Sequence, residues 1–322
     1  MGYHFSSEVN ALFYTTGMTA LAASNDIHLI MEKSPKGYVH SVFNSSFNLA
    51  FGEHLVHIGA LENGLAPFGI GMDPESSQLL TKLLRVNEEV FWDDFSKSIV
   101  FPKGITLSLS HVDWTNLKLE PFTYELSVVK DNFMFIAEKL LQDDWHTGLG
   151  ETEEEKKRII RYLLEPELST DSVVLDKLKS LESLVYDSDG LEAEKVFDYW
   201  IGRGLGLTPS GDDCITGMCA VLSVFEGTDQ TFIQYVKSYL AERGRKRTTH
   251  IALEYLLYAT ENKFHSHLLG LCYVMNKPRG SEFLEALEEM KKIGHTSGAD
   301  TLVGVLLGIK AAVYTQKKGD SY

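Results

Sequence analysis

Two short patterns, far apart in the chain, carry the residues best suited to chemistry. Each reads Ser-Gly-x-Asp-x-x-x-Gly at the start of an apolar run, and each places an aspartate, Asp213 or Asp300, in the first turn of an expected helix. Steps of three or four residues from each aspartate stay on one helix face. The residues on those faces are small: Gly217, Ala220, Gly304, Gly308 and Ala311. The repeat therefore predicts two similar helices, each with a carboxylate and a stripe of small residues.

The stripes predict how the two helices meet. A glycine inside a helix costs roughly 1 kcal/mol relative to alanine, so repeated glycines need a structural reason. Close approach of two backbones is such a reason, and we expect the helices to pack through their small residues. Asp213 and Asp300 would then converge on one site. Because a helix N-terminus offers free N–H groups and a positive dipole, that site is suited to a small anion.

Helix capping is a structural alternative for the same residues. Ser210 followed by Asp213 resembles a capping box, and the helix dipole favours acidic residues in a first turn. Capping needs no ligand. It leaves Asp212 unexplained, together with Arg203, the loop glycines beside it, and His295 before the second pattern.

Other chemistries are open to these residues. His295 could be a general acid or base, because histidine titrates near neutral pH, or it could bond a backbone carbonyl. Asp212, with Asp213 and Asp300, could hold Mg²⁺, which makes a Mg²⁺-dependent hydrolase or phosphotransferase a rival function. Nucleophilic catalysis by the motif serines is not expected, since neither lies in a G-x-S-x-G elbow. The glycine loop is neither a P-loop nor a dinucleotide fingerprint.

A basic segment, residues 243–247, precedes another expected helix. An arginine there could bind a carboxylate or phosphate through two hydrogen bonds, and Arg247 is the stronger candidate because it adjoins the helix start. Thr248 or Thr249 should cap that helix. Arg243 and Lys246 are expected to face solvent.

The elements that position these motifs predict an α+β fold. From about residue 28 to 119, β-forming residues and glycine turns indicate a mostly-β domain, a small barrel or sandwich, with a short helix at 76–85. Near residue 128 the period becomes helical. Expected helices cover about 133–141, 151–164, 170–184, 191–201, 212–225, 231–241, 249–260, 264–275, 281–293 and 299–315. The predicted domains are residues 1–127 and 128–322.

Composition narrows the class of function. The formal net charge of −15 at pH 7 argues against a nucleic-acid partner, since phosphate binding needs a basic face. No apolar run is long enough to span a bilayer, and no signal peptide is expected. The three cysteines lie in apolar helical runs without disulfide or zinc spacing, as is typical of a cytoplasmic protein.

The sequence also resembles a known family. The strings GLTPSGDD, RTTHIALEYL and IGHTSGADTLVGVLLG, with NSSFNLAFG and ENGLAPFGI nearer the N-terminus, are similar to the AllH-like family of oxamate carbamoyltransferase subunits. The resemblance covers about residues 40–310. One departure lies in the loop, where Gly204-Leu205-Gly206 replaces a segment that commonly contains proline.

The resemblance implies an activity, carbamoyl transfer between oxalurate and phosphate, which gives oxamate and carbamoyl phosphate in allantoin degradation. It implies partner subunits, so a non-catalytic supporting role is an alternative, and a homo-oligomer is a further expectation. No cofactor is expected to be required, and Mg²⁺ is the one metal to consider, with Asp212 as its ligand.

For this reaction we expect the motif residues to take specific roles. His295, Asp213 and Asp300 would be catalytic, with His295 or Asp213 moving the proton of the transferred amide. Backbone N–H groups of Gly211 and Gly298 would bind the anion. The residues expected to bind substrate are Asn48, Arg203, Gly206, Thr208, Ser210, Gly211, Arg247, Thr248, Thr296, Ser297 and Gly298.

Overall fold

The computed structural model describes residues 16–142, 145–165, 172–186, 190–225 and 230–319. The chain divides into two compact units. The first unit runs to Leu61 and resumes over Ile70–Trp114, and the second comprises Glu62–Gly69 and Thr115–Tyr322. The predicted boundary at residue 127 falls within the first helix of the second unit. No helix in the described part of the chain is both long enough and apolar enough to cross a membrane.

A single ten-stranded sheet forms the first unit, curled like half of a barrel. Its strands are β1 (Thr16–Thr19), β2 (Ala22–Ser24), β3 (Lys36–Val42), β4 (Ser46–Phe51), β5 (His54–Ala60), β6 (Gly69–Met72), β7 (Glu89–Asp93), β8 (Ser98–Phe101), β9 (Ile105–Ser108) and β10 (Asp113–Thr115). They lie in the order β1-β9-β8-β7-β3-β4-β5-β6-β2-β10. The prediction of a mostly-β N-terminal region is confirmed.

The hairpin between β4 and β5 follows from its sequence. Two residues, Gly52 and Glu53, connect the strands, and Gly52 has a φ of +62°, which glycine adopts without strain.

Two local predictions are wrong. Part of the stretch predicted as strand forms the helix α1 (Ile27–Lys33), and residues 117–119 make only an isolated bridge, from Lys118 to Lys263.

Helices make up the second unit, as predicted, and each expected helix is present. Helix α2 (Pro74–Leu83) belongs to the first unit, like α1. The helices of the second unit are, in chain order, α3 (Leu126–Gln142), α4 (Glu153–Leu164), α5 (Val173–Ser183), α6 (Gly190–Trp200), α7 (Ser210–Val224), α8 (Thr231–Tyr239), α9 (Arg245–Arg247), α10 (His250–Ala259), α11 (Ser266–Met275), α12 (Ser281–Met290) and α13 (Ser297–Gly319). A π-helical turn over Leu240–Gly244 joins α8 to α9.

The core of the second unit is the pair α7 and α13. Every residue of α7 except Thr216 is buried, and so is α13 from Ser297 to Ile309. Helix α7 packs against α13, α10 and α11, whereas α13 also contacts α3, α4 and α5. A helix that is apolar all round belongs at the centre of a bundle, so the two motif helices hold the position their sequences predict.

Candidate functional site

The two central helices touch backbone to backbone through their glycines. A Cβ at Gly217 would lie 2.1 Å from the carbonyl oxygen of Thr301, and a Cβ at Gly304 would lie 1.9 Å from that of Cys214. Thr301 and Cys214 hold the same position in their two Ser-Gly-x-Asp patterns. The contact is therefore reciprocal, like an isologous interface inside one chain. The predicted packing through small residues is confirmed.

The amide groups at the helix starts are already hydrogen bonded. Gly211 N–H donates to the Arg203 carbonyl and Gly298 N–H to the Ile293 carbonyl, both at 2.9 Å. The next two amides of α7 donate to the Pro209 carbonyl at 2.9 and 3.1 Å. Turns before the two helices satisfy both donors, so anion binding by the Gly211 and Gly298 N–H groups finds no support in this geometry and stays a prediction.

Asp213 lies at the N-terminal end of the helix pair and is nine-tenths buried, with 9 % of its surface exposed. Its Oδ2 has no hydrogen-bond partner among the described residues. Burial raises the pKa of Asp213 well above its usual value, the charge of Asp300 raises it further, and the Ser297 hydroxyl opposes the shift. The Asp213 carboxyl is thus poised to hold a proton.

Asp300, from the second pattern, is fully buried. Its Oδ1 accepts hydrogen bonds from Thr147 Oγ1 at 2.5 Å and from Gly148 N–H at 2.9 Å. Its Oδ2, like that of Asp213, lacks a partner in the described part of the chain. Burial raises the pKa of Asp300, and the bond from Thr147 works against that rise.

Together the two carboxyls form an acid pair that both helices build. Two neighbouring carboxyls in a dry site resist double ionisation, which favours the protonated form of one of them. Asp300, with two donors on Oδ1, is the better carboxylate, and Asp213 is the better acid. Each keeps one oxygen for a further hydrogen bond. Such a pair can donate to one atom of a ligand and accept from another.

Hydroxyl groups connect the two patterns around this pair. Thr208 Oγ1 and Ser297 Oγ are hydrogen bonded at 2.8 Å. Ser210 is the first residue of α7, its predecessor Pro209 is the N-cap, and no side chain caps the helix. The capping-box prediction for Ser210 is therefore wrong. Ser210 is buried, and a Cβ added at Gly148 would lie only 2.2 Å from the Ser210 Oγ.

Asp212 has hydrogen-bond partners of its own and a structural role. Its Oδ1 accepts from Gly202 N–H at 2.9 Å, and its Oδ2 accepts from the Thr248 hydroxyl. The carboxylate thus ties the glycine loop to the segment before α10. Among the described residues, the one group of three acidic or histidine side chains close enough to share an ion is His28, Glu32 and Asp94. Both oxygens of Asp212 already accept hydrogen bonds, and Asp212 is not part of that group. The prediction that Asp212 binds Mg²⁺ therefore gains no support here and stays untested.

The glycine loop needs glycine at each of its three positions. Gly202, Gly204 and Gly206 have φ values of +81°, +123° and +95°, which other residues rarely adopt. A Cβ at Gly202 would also lie 1.8 Å from the Arg247 carbonyl oxygen. Thr249 donates to the Leu207 carbonyl at the end of this loop. Thr249 also caps α10 through the Ala252 amide, at 3.0 Å, as predicted for one of the two threonines.

The two arginines predicted to bind substrate have other contacts. Arg203 lies 4.5 Å above the Tyr199 ring, and its Nη2 is 3.7 Å from Glu151. Arg247 donates to the Asp198 carbonyl, and its Nε lies 3.9 Å from the Asp198 carboxylate. Neither contact involves the aspartate pair. Substrate binding by these side chains stays a prediction.

Two other predicted residues lie apart from the pair's hydrogen bonds. His295 is exposed, in the turn before α13. Asn48 belongs to the first unit, where its Nδ2 donates to Ser41 Oγ and its Oδ1 accepts from His57 Nδ1, both at 2.9 Å. Burial lowers the pKa of His57 to about 4, so His57 is neutral there at pH 7. The sheet thus satisfies the Asn48 amide without a ligand.

Sequence reasoning missed three contributors to the site. Thr147 and Gly148 hold Asp300, and the signal available for them was a Thr-Gly-x-Gly run between two predicted helices. Tyr255, from α10, has its phenol pKa raised by burial and by the charge of Asp213. Nothing in the spacing of Tyr255 from the motifs distinguishes it from a core residue.

The raised pKa of Asp212 predicts how the free energy of unfolding depends on pH. Burial raises its pKa from 3.8 to about 6, so between those pH values the folded chain keeps a proton that the unfolded chain has released. Stability should therefore fall as pH rises through that window. Relative to Asp212→Asn, the wild type should lose about 2 kcal/mol between pH 4 and pH 7. Urea denaturation of both proteins across this range measures the difference, and parallel curves would contradict it.

Comparison with known proteins yields two matching family models. The model described as the AllH family N-terminal domain matches residues 19–115, and the one described as oxamate carbamoyltransferase subunit AllH matches residues 200–309. The second match contains both Ser-Gly-x-Asp patterns. No solved structure matches the chain.

Proposed function

The chain belongs to the AllH family of oxamate carbamoyltransferase subunits, and we propose that its buried aspartates move the protons in carbamoyl transfer between oxalurate and phosphate. One observation carries this proposal. Asp213 and Asp300 come from two helix starts, are both buried with raised pKa values, and each keep one oxygen without a partner among the described residues. A pair with one shared proton is suited to concerted acid and base work.

The reaction needs such a proton transfer. An oxygen of hydrogen phosphate bonds to the carbamoyl carbon, and the bond from that carbon to the oxamate nitrogen breaks. The phosphate hydroxyl loses a proton and the leaving nitrogen gains one, so the charge is the same on both sides. Asp300, as carboxylate, accepts the first proton, and Asp213, as acid, supplies the second. The pair ends with one proton, now on Asp300, which is the state that the reverse reaction requires. Another forward turnover requires that proton to return to Asp213.

Binding the substrates requires positive charge that the pair lacks. Oxalurate and phosphate are both anions, whereas Arg203 and Arg247 are engaged with Glu151 and Asp198. We therefore assign part of the anion binding to another subunit of the enzyme, which agrees with the subunit role of the family. Oxamate, carbamoyl phosphate, a place in allantoin degradation and self-association belong to the same proposal. The three cysteines are free and buried, which favours the cytoplasm.

A thermal-shift titration of the purified chain tests ligand binding at the pair. Oxamate, oxalurate or carbamoyl phosphate at 100 times its Kd should add about 2.7 kcal/mol of stability. The shift should be lost in Asp213→Asn and Asp300→Asn and should not require Mg²⁺. A shift that appears only with Mg²⁺ would instead favour the metal-dependent hydrolase or phosphotransferase.

An experiment with the partner subunits tests the remaining alternative, which is that this chain is a non-catalytic subunit. If the isolated chain gives no shift, the titration is repeated on the reconstituted complex with the same two variants. A complex that binds ligand equally well with either variant would show that this chain only supports a catalytic partner.

A further inference from the structure

A cavity lies between helices α3, α4, α5 and α13, and the carbamoyl-transfer proposal does not use it. Its volume is about 750 Å³, within the range of small-molecule sites. One wall is apolar and is formed by Phe133, Met134, Leu163, Ile309 and Val313. The residues that bind Asp213 and Asp300 are absent from its lining.

Another part of the cavity wall holds a buried polar cluster. Glu182, with 4 % of its surface exposed, accepts hydrogen bonds through Oε2 from the Tyr162 hydroxyl and from Lys310 Nζ, the latter at 2.7 Å. Lys310 Nζ also lies 3.7 Å from the centre of the Tyr162 ring. Since an ammonium group has three N–H donors, the bond to Glu182 uses only one of them.

Positive charge exceeds negative charge on this wall. Lys179 lines the same cavity with Lys310 and lies 5.8 Å above the Tyr162 ring. Its charge lowers the pKa of Lys310, an effect that adds to the larger one of burial. Lys179 has no carboxylate partner in the described part of the chain, and a third lysine, Lys130, also lines the cavity. Among the described residues that line the cavity, one carboxylate thus accompanies three ammonium groups, within a chain whose net charge is −15.

From this arrangement we infer that the cavity binds an amphipathic anion, a small molecule with one carboxylate or phosphate head group and an aliphatic or aromatic body. The head group bridges Lys310 and Lys179, which relieves the repulsion between them. The body lies against Phe133, Met134 and Leu163. An apolar cavity with a few convergent polar groups is the usual form of such a site.

Calorimetric titration of the full-length chain with decanoate tests the inference. Lys179→Met should weaken decanoate binding by about ten- to a hundred-fold, because it removes one charged donor and keeps the apolar stem. Lys177→Met is the matched control, since Lys177 is on the same helix but lies over Tyr199 and does not line the cavity. It should leave the affinity unchanged.

The role of Lys310 is tested with a double variant, because Lys310 forms a buried ion pair with Glu182. Lys310→Met alone would leave Glu182 buried without its cation, and such a loss can unfold a protein. Lys310→Met with Glu182→Gln removes one positive and one negative charge, so the net charge of the site is unchanged, and it should weaken decanoate binding as strongly as Lys179→Met. Equal affinity in wild type and these variants, equal affinity for decanol, or no binding by wild type would overturn the inference. Loss of decanoate binding on assembly with partner subunits would also overturn it, in favour of a partner segment filling the cavity.

Discussion

Replacement of either aspartate in the buried pair by asparagine should lower the rate of carbamoyl transfer by about 10²- to 10⁴-fold, the usual contribution of a positioned acid or base. Asparagine keeps the size and shape of the side chain but cannot exchange a proton. Both Asp213→Asn and Asp300→Asn should fold, because a neutral amide is easier to bury than a carboxylate. The measurement is carbamoyl phosphate formation by the reconstituted enzyme. Full activity in both variants would rule out the assigned roles.

A neighbouring variant distinguishes proton transfer from a structural role. Thr147 donates to Asp300 Oδ1 and lowers its pKa. Thr147→Val removes that donor, so the pKa of Asp300 should rise and the acid limb of the kcat/KM profile should move to higher pH. A purely structural pair would lose activity without any such movement. Asp176→Asn, an exposed change on α5, is the control and should leave the profile in place.

The helical half of the fold could be predicted because its local signals agree. The glycines of the two patterns predicted both the helix contact and the convergence of Asp213 and Asp300, since small residues repeated at helical spacing favour close packing of two helices. The helix α1 was missed for the opposite reason. Its apolar residues Ile27 and Met31 are four apart in a short stretch beside strands, where periodicity alone does not distinguish helix from strand.

The details of the site depended on distant parts of the chain, which no local pattern contains. Ser210 has the type and spacing of a helix cap, yet its hydroxyl lies against Gly148 because the loop after α3 reaches the helix start. Gly211 and Gly298 have the position of anion donors, yet preceding turns occupy their amides. Which donor is free depends on the path of the whole backbone, and sequence spacing cannot supply that path.

The reciprocal glycine contact makes the strongest prediction about stability. A Cβ at Gly304 would lie 1.9 Å from the Cys214 carbonyl oxygen, and because that atom belongs to a helix backbone, the helices must separate. Gly304→Ala should lower the free energy of unfolding by at least about 3 kcal/mol, at the upper end of overpacking effects. Urea denaturation followed by helical circular dichroism measures the loss.

Two other glycines provide graded controls for this contact. At Gly308 the nearest atom to an added Cβ is a side-chain carbon of Val221 at 3.1 Å, so Gly308→Ala should cost less. At Gly270, inside α11, nothing lies within 4 Å of the added atom, and alanine should stabilise the protein by about 0.5 to 1 kcal/mol. The expected order, from most to least stable, is Gly270→Ala, wild type, Gly308→Ala, Gly304→Ala.

Because Asp213 and Asp300 lie on the same two helices, loss of carbamoyl transfer should accompany the destabilisation at Gly304. A Gly304→Ala protein with unchanged stability and activity would show that the small residues do not set the position of the pair.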